Sequence, residues 1–285
     1  MKSTSLALLL FMSATVCTAQ SITDALRVRW SQPVEPFRVI GNIDYVGTNQ
    51  ISSHIIVTSE GLILLDTGTT LMTPMIQENV EKLGHAITDI KYIISSHAHW
   101  DHVEGHAAMK KLTGAKIVAL GEDAASITSG IDTSALGGDG WTPAKVDRTI
   151  KHGDTLTLGD TTLTAHHTPG HSKGCTSWTT TVSEGGKSYD VIFIGGTSVN
   201  GGVNLLNNER HPSIAEDYAT TFARLKKIHP DVFLAQHPSM YRMDGKRRAL
   251  KNGAQKNPFI NRDEYKIFLV QEEAKYLERL AKENL

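Results

Sequence analysis

Cysteine is nearly absent from this chain: there are 2 in 285 residues, Cys17 and Cys175. If Cys17 leaves with an N-terminal leader, no intrachain disulfide can form, and stability must come from packing or from metal. Charge of one sign is equally lacking. With 29 Lys+Arg against 30 Asp+Glu, the formal net charge is −1, so no long-range field gathers nucleic acid or an anionic membrane, and any partner must be recognised locally. Beyond the first 20 residues there is no apolar run long enough to span a bilayer, so the mature chain is expected to be soluble. What the chain does have is histidine, 13 residues of it. Histidine is the commonest neutral metal ligand, so where those residues fall matters more than how many there are.

Residues 1–19 read as a secretory signal, with Lys2 as the positive start, Leu6–Met12 as the apolar stretch and Thr18-Ala19 as the small-residue cleavage region. Ser3, Ser5, Ser13, Thr15 and Thr18 interrupt the segment too often for a membrane anchor. Val16 is bulky where lipoprotein processing before Cys17 needs a small residue. Cleavage after Ala19, export to the periplasm and a single domain over 20–285 are therefore expected.

Apolar alternation between Gly and Asn breaks predicts strands over Phe37–Thr48, Ser52–Thr58 and Leu62–Asp66. An amphipathic stretch at Thr73–Leu83, a strand at Ile90–Ser95, a helix over Glu104–Leu112, the strand Lys116–Leu120 and a short helix at Glu122–Thr128 follow. The glycine-rich Ser129–Trp141 reads as a loop that could cover a substrate, with Trp141 in its wall. A second half repeats the pattern, with strands at Thr155–Leu158, Thr162–His167, Thr176–Val182 and Tyr189–Ile194, a helix over Ile214–His229 and the strand Asp231–Ala235. Lys246-Arg247-Arg248 reads as a solvated turn, and Arg262–Glu283 as a charged amphipathic helix. Two such halves bury their apolar faces most simply as an α/β four-layer αββα sandwich.

Six histidines sit in two short segments at strand ends. In Ser95-Ser96-His97-Ala98-His99-Trp100-Asp101-His102, the alternating His97 and His99 put two imidazoles on one side of an extended backbone, where they can share an ion. In His166-His167-Thr168-Pro169-Gly170-His171, the Pro-Gly turn presents His171 inward. His237 follows a third strand. The ligands sort into two sets, His97/His99/His171 and Asp101/His102/His237, each short of four protein ligands and so open to water, as in catalytic zinc. Two ions about 3.5–4 Å apart can share a hydroxide and clamp a reacting centre, which points to hydrolysis. Asp66 either orients a ligand or caps a turn. His166 and His167 lie within a strand and are excluded as ligands. His106 is expected at the surface, because both sites are already complete.

The run His97-Ala98-His99-Trp100-Asp101-His102 resembles the H-x-H-x-D-H signature of the metallo-β-lactamase superfamily, with Pro169-Gly170-His171 and His237 matching its later histidines. In that superfamily, glyoxalase II, zinc lactonases and zinc ribonucleases carry a metal-bridging Asp after the strand that here ends at Ile194. This chain has Gly195-Gly196-Thr197-Ser198 there. The lactamases of the first two subclasses place a ligand Cys in that region, and this chain has none, so it is most similar to subclass B3. Trp30-Ser31-Gln32-Pro33, His171–Trp178 and Ala215-Glu216-Asp217-Tyr218 fit the same subclass. Many of its members carry Ser or Asp-Ser where this chain has Gly195-Gly196.

The resemblance implies two Zn2+ per chain and hydrolysis of the amide of penicillins, cephalosporins or carbapenems by a metal-bound hydroxide. In that scheme Asp101 is catalytic, orienting the hydroxide, and Ser198 and Asn200 hold the substrate carboxylate. For those two, ordinary turn residues in an Asn-Gly-Gly loop remain the alternative. The partner is a small β-lactam, with no nucleic acid and no membrane after signal cleavage, and a monomer is expected. Two competing functions stand beside this one: a zinc lactonase or thioesterase of the same fold, and a non-catalytic zinc-binding protein of the envelope.

Overall fold

Period-two alternation along the strands divides their apolar residues between two cores. In β4 (Gly61–Leu65), Ile63 and Leu65 face a core between two sheets, while Leu62 and Leu64 face the helices outside. The same division places Ile56 of β3 (His54–Thr58), Ile94 of β5 (Ile90–Ile94) and Val118 of β6 (Lys116–Leu120) inward. Their neighbours Ile55, Ile93 and Ile117 point outward. The computed structural model describes residues 23–285, so the expected leader at 1–19 and Cys17 lie outside the described residues.

After a helix over 23–30 (α1), the chain enters a seven-stranded sheet in the order β1 to β7. Here β1 is Phe37–Ile40, β2 is Ile43–Tyr45 and β7 is Arg148–Ile150. A five-stranded sheet follows in the order β12-β11-β10-β9-β8. Its strands are β8 (Thr155–Leu158), β9 (Thr161–His167), β10 (Thr176–Glu184), β11 (Lys187–Ile194) and β12 (Val232–Ala235). The inward residues of both sheets, including Leu163, Trp178 and Phe193, form one continuous core. Helices α2 (Met72–Lys82), α4 (His106–Thr113) and α5 (Gly121–Ser129) cover the first sheet with Ile76, Met109 and Ile127. Tyr218 and Phe222 of α6 (Ile214–Leu225) and Tyr265 and Phe268 of α8 (Arg262–Glu283) pack beside the second. The result is the expected layering of helix, sheet, sheet and helix. Among the described residues no helix is long and apolar enough to cross a membrane.

Several local expectations need correction. Gly41, at φ 51°, turns the single strand expected over Phe37–Thr48 into the hairpin β1–β2. The helix expected over Glu104–Leu112 is α4, which starts only at His106, and a short helix not expected from the sequence, α3 (Trp100–Val103), precedes it across Gly105. At Gly105 a Cβ would lie 2.9 Å from the Thr67 carbonyl oxygen, so the chain can pass there only without a side chain. Lys246-Arg247-Arg248 is not a solvated turn. It lies in helix α7 (Met243–Lys251), and Lys246 is buried, ion-paired with Glu264 and set over the Phe259 ring at 5.1 Å. Removing Lys246 leaves Glu264 with only the largely exposed Arg242, whose Nε lies 3.1 Å from Oε1, so Lys246→Ala should lower unfolding free energy by about 1–3 kcal/mol. Denaturant melts of the two proteins would measure it, and a loss near zero would show that Arg242 alone satisfies Glu264.

Candidate metal centre

The site forms where strand ends from the two sheets meet. β4 ends at Leu65 and β5 at Ile94, parallel neighbours in the first sheet, and β11 and β12 run parallel in the second. Just beyond those ends come Asp66, the run Ser95–His102, Gly195–Ser198, and Gln236-His237. The turn after β9 adds His171. Loops anchored at both ends by sheet hydrogen bonds can hold side chains in fixed directions.

His97, His99 and His171 come together as the sequence predicts. Each offers a ring nitrogen, and these lie within 4.8 Å of one another. The rings of His97 and His99 are 4.7 Å apart between centroids, and that of His171 lies 4.5 and 4.6 Å from them. A second group joins Asp101 and His102, with His97 also within reach. Asp101 Oδ2 is 3.2 Å from His102 Nε2 and 3.5 Å from His237 Nε2, so His237 stands beside this group, whose tight third member is His97. Ser198 and Asn200 lie on the rim of the cleft above, with Trp30, Trp100, Leu136 and Gln236.

The surrounding contacts fix which ring nitrogens are left over. His171 Nδ1 donates to the Ser198 carbonyl at 2.7 Å, and His237 Nδ1 donates to the Gln50 carbonyl at 2.8 Å, so each has its Nε2 lone pair available. His102 Nδ1 contacts Asp66 Oδ2 at 3.1 Å, so Asp66 orients the His102 ring rather than capping a turn. Asp66 also accepts from Ser96 N and Ser96 Oγ. It sits at φ 59°, a conformation that costs a non-glycine residue energy and is held by those bonds.

Burial drives the pKa of His171 down to about 3 and lowers those of His97, His99 and His237, so all four present neutral rings. Burial opposes charge on His102 too, but Asp101 and Asp66 on either side raise its pKa to about 10. His102 and its neighbours hold the Asp101 carboxyl well below the usual range against its own burial.

This donor set fits metal. The buried Nε2 atom of His99 has no hydrogen-bond partner in the protein and that of His102 faces only Asp101, and unsatisfied buried polar atoms are rare unless something else satisfies them. Nitrogen and carboxylate donors in sets of three suit zinc with a position left open.

Other residues fall elsewhere. His106 is fully buried rather than exposed, because Ser95 Oγ and Thr67 Oγ1 bond its two ring nitrogens at 2.7 Å each. His166 and His167 bond Thr179 and the Lys173 carbonyl, away from the ligands. Trp141 is buried in the outer core, so the wall that the Ser129–Trp141 loop lends to the cleft is Leu136. Arg210 ties that loop to the opposite half by donating to the Ser134 and Asp132 carbonyls at 3.0 and 2.7 Å. Buried Cys175 is no ligand. Its Sγ accepts from Gly196 N at 3.0 Å, and burial pushes its thiol up to about 12. Trp30 lies in one of the stretches that fit subclass B3 and Leu136 in the loop read as a substrate cover, but nothing in the sequence marks Gln236 as a cleft residue.

The family model described as the metallo-β-lactamase superfamily matches residues 46–237. Among solved structures, the FEZ-1 metallo-β-lactamase from Legionella gormanii is 37% identical, with 89% of this chain and 98% of that one covered and a TM-score of 0.87. BJP-1, a subclass B3 metallo-β-lactamase of Bradyrhizobium japonicum, is 43% identical over 90% of this chain and 97% of its own, with a TM-score of 0.84. The class B3 di-zinc enzyme LRA-12, from an Alaskan soil metagenome, is 33% identical over 88% and 96%, with a TM-score of 0.82. A hydroxyacylglutathione hydrolase of Rhodospirillum rubrum is 30% identical over 94 residues, a stretch spanning 33% of this chain and 29% of that protein.

Proposed function

The chain belongs to the metallo-β-lactamase superfamily, and from that premise we propose that it is a zinc-dependent hydrolase of the β-lactam amide. The observation that carries this reading is the Gly195-Gly196 turn. No carboxylate stands where the lactonase and thioesterase branches bear a metal-bridging one, and the turn passes so close to His171 that a Cβ on Gly196 would fall 2.2 Å from its Cδ2. The likeness to lactamase structures along nearly their full length supports the same reading.

His97, His99 and His171 would hold one zinc ion, and Asp101, His102 and His237 a second. When bound, the ions supply Lewis acidity for the carbonyl and lower the pKa of a water to about 7. The chain's own groups do the rest. Asp101 would accept a hydrogen bond from a water in the cleft and aim it at the carbonyl carbon. Ser198 and Asn200 offer neutral donors to the substrate carboxylate. Among the described residues no Lys or Arg lines the cleft, so that contact gives modest affinity rather than a strong ion pair. Trp30 and Trp100, stacked at 5.5 Å, and Leu136 offer apolar walls to the substituents in a cleft of about 280 Å³. Export to the periplasm and action as a monomer belong to the same proposal, the former supported by the leader pattern in residues 1–19.

One observation favours a second reading, a thioesterase of the same fold: the short curated match is to hydroxyacylglutathione hydrolases. The test is hydrolysis of nitrocefin and imipenem with and without a chelator, beside an acyl-homoserine lactone and a glutathione thioester. Turnover of both β-lactams, lost with chelator and restored by zinc, is the expected outcome. Turnover of the lactone or thioester alone would sink the proposal, and tightly held zinc with no turnover would turn it toward a non-catalytic protein.

A further inference from the structure

Asp123 lies in the first turn of α5 and is buried, yet it touches none of the proposed ligands. Its carboxylate gathers donors from the two loops that carry the three histidines. Oδ2 accepts from Ala98 N at 2.8 Å, the amide between His97 and His99. The same oxygen accepts from Ser172 Oγ at 2.7 Å, next to His171, and Oδ1 accepts from Gly174 N at 2.8 Å. The approach is close: a Cβ on Gly174 would lie 2.4 Å from Asp123 N, so only glycine lets the loop come this near.

The two loops belong to different sheets, and three donors converge on one residue. A carboxylate accepts all three with nothing left to donate. An asparagine would turn an NH2 toward one of the donors and leave it unpaired. Burial pushes the Asp123 carboxyl up to about 6 while these bonds act in the opposite sense, so the donors are what hold its charge. The N-terminal turn of α5 favours that charge further.

We propose that Asp123 is a positioning residue that sets the metal affinity of the three-histidine site by clamping the His97–His99 loop to the His171 loop. The inference rests on the zinc-site reading above but not on the identity of the substrate. Its geometric logic is that ligands from two sheets bind one ion tightly only when the distance between their backbones is fixed beforehand, and Asp123 is the charged group that spans that gap. Groups that orient ligands indirectly typically change metal affinity about 10–100-fold.

The test uses the full chain with Asp123→Asn and, separately, Ser172→Ala. Zinc affinity would be read by competition with a chromophoric chelator, and the three-histidine site by the visible spectrum of the cobalt(II)-loaded protein. Asp123→Asn should weaken one of the two zinc equivalents about 10- to 100-fold and alter the cobalt spectrum, while the other equivalent is unchanged. Ser172→Ala, which removes one arm of the clamp, should give a smaller loss in the same equivalent. Wild-type zinc affinity and spectrum in Asp123→Asn, with only a lowered melting temperature, would overturn the proposal. If Asp123→Asn does not fold, Ser172→Ala decides, and an unchanged zinc affinity there overturns it as well. A wild-type protein that binds zinc but hydrolyses no β-lactam would fail the proposed function and leave this inference standing.

Discussion

His171→Ala is expected to remove most hydrolytic activity and one of two zinc equivalents. His171 is the one member of the three-histidine group supplied by the second sheet. His97 and His99 would then be left as two ligands on one loop, with two positions of a tetrahedral site unfilled by protein. The loss should exceed the roughly 10–100-fold seen when only an orienting group is removed, because a direct bond is lost. Truncation also frees the Ser198 carbonyl from its 2.7 Å bond to His171 Nδ1, although Tyr218 Oη still donates to it at 2.7 Å. The Ser198 loop should therefore stay in place, and the defect should fall on kcat and metal content more than on KM. Metal analysis after remetallation, paired with nitrocefin kinetics, measures both. Rates like wild type would refute the assignment of His171 to the metal.

The clustering of these histidines and Asp101 could be read from the sequence because most of them sit in short runs at strand ends, where spacing within the run nearly fixes direction. His97-Ala98-His99 needs only an extended backbone to share a face. Helix α8 was legible for a related reason. Its Asn261 side chain caps the amides of Asp263 and Glu264, and an apolar stripe of Tyr265, Phe268, Leu269 and Tyr276 runs along it, so its bounds match the expected Arg262–Glu283.

What escaped the sequence depends on partners far along the chain. Lys246 looked solvated in a basic triplet because Glu264, which buries it, is 18 residues away. His106 looked like a surface residue because nothing local reveals that Ser95 and Thr67 would bond both its nitrogens. Asp123 carried no signal, since its three donors come from loops 25 to 51 residues distant. The hinge at Gly105 is set by the backbone of Thr67 in the same way.

Gly196→Ala should cost nearly as much activity as losing a ligand, although it removes none. The added Cβ would meet His171 Cδ2, Cγ and Cβ at 2.2, 2.3 and 2.6 Å, distances that real carbon atoms do not adopt. Something must move by about an ångström. The turn has little freedom, because Gly196 N donates to Cys175 Sγ and Gly195 N donates to Ser177 Oγ at 2.9 Å. The ring of His171 is therefore the part that yields, and it carries its ligand nitrogen with it. A misplacement of that size typically costs about 10²-fold in rate.

Gly245→Ala is the matched control. Gly245 lies in α7, and a methyl group added there would meet nothing within 4 Å, so the same substitution should keep the wild-type rate and, in a helix, stabilise by about 0.5–1 kcal/mol. If Gly196→Ala keeps wild-type kcat/KM and zinc content, then the turn can yield after all. The steric part of the argument would fall with it, and the preference for an amide over a thioester as the substrate bond would rest on the absent carboxylate alone.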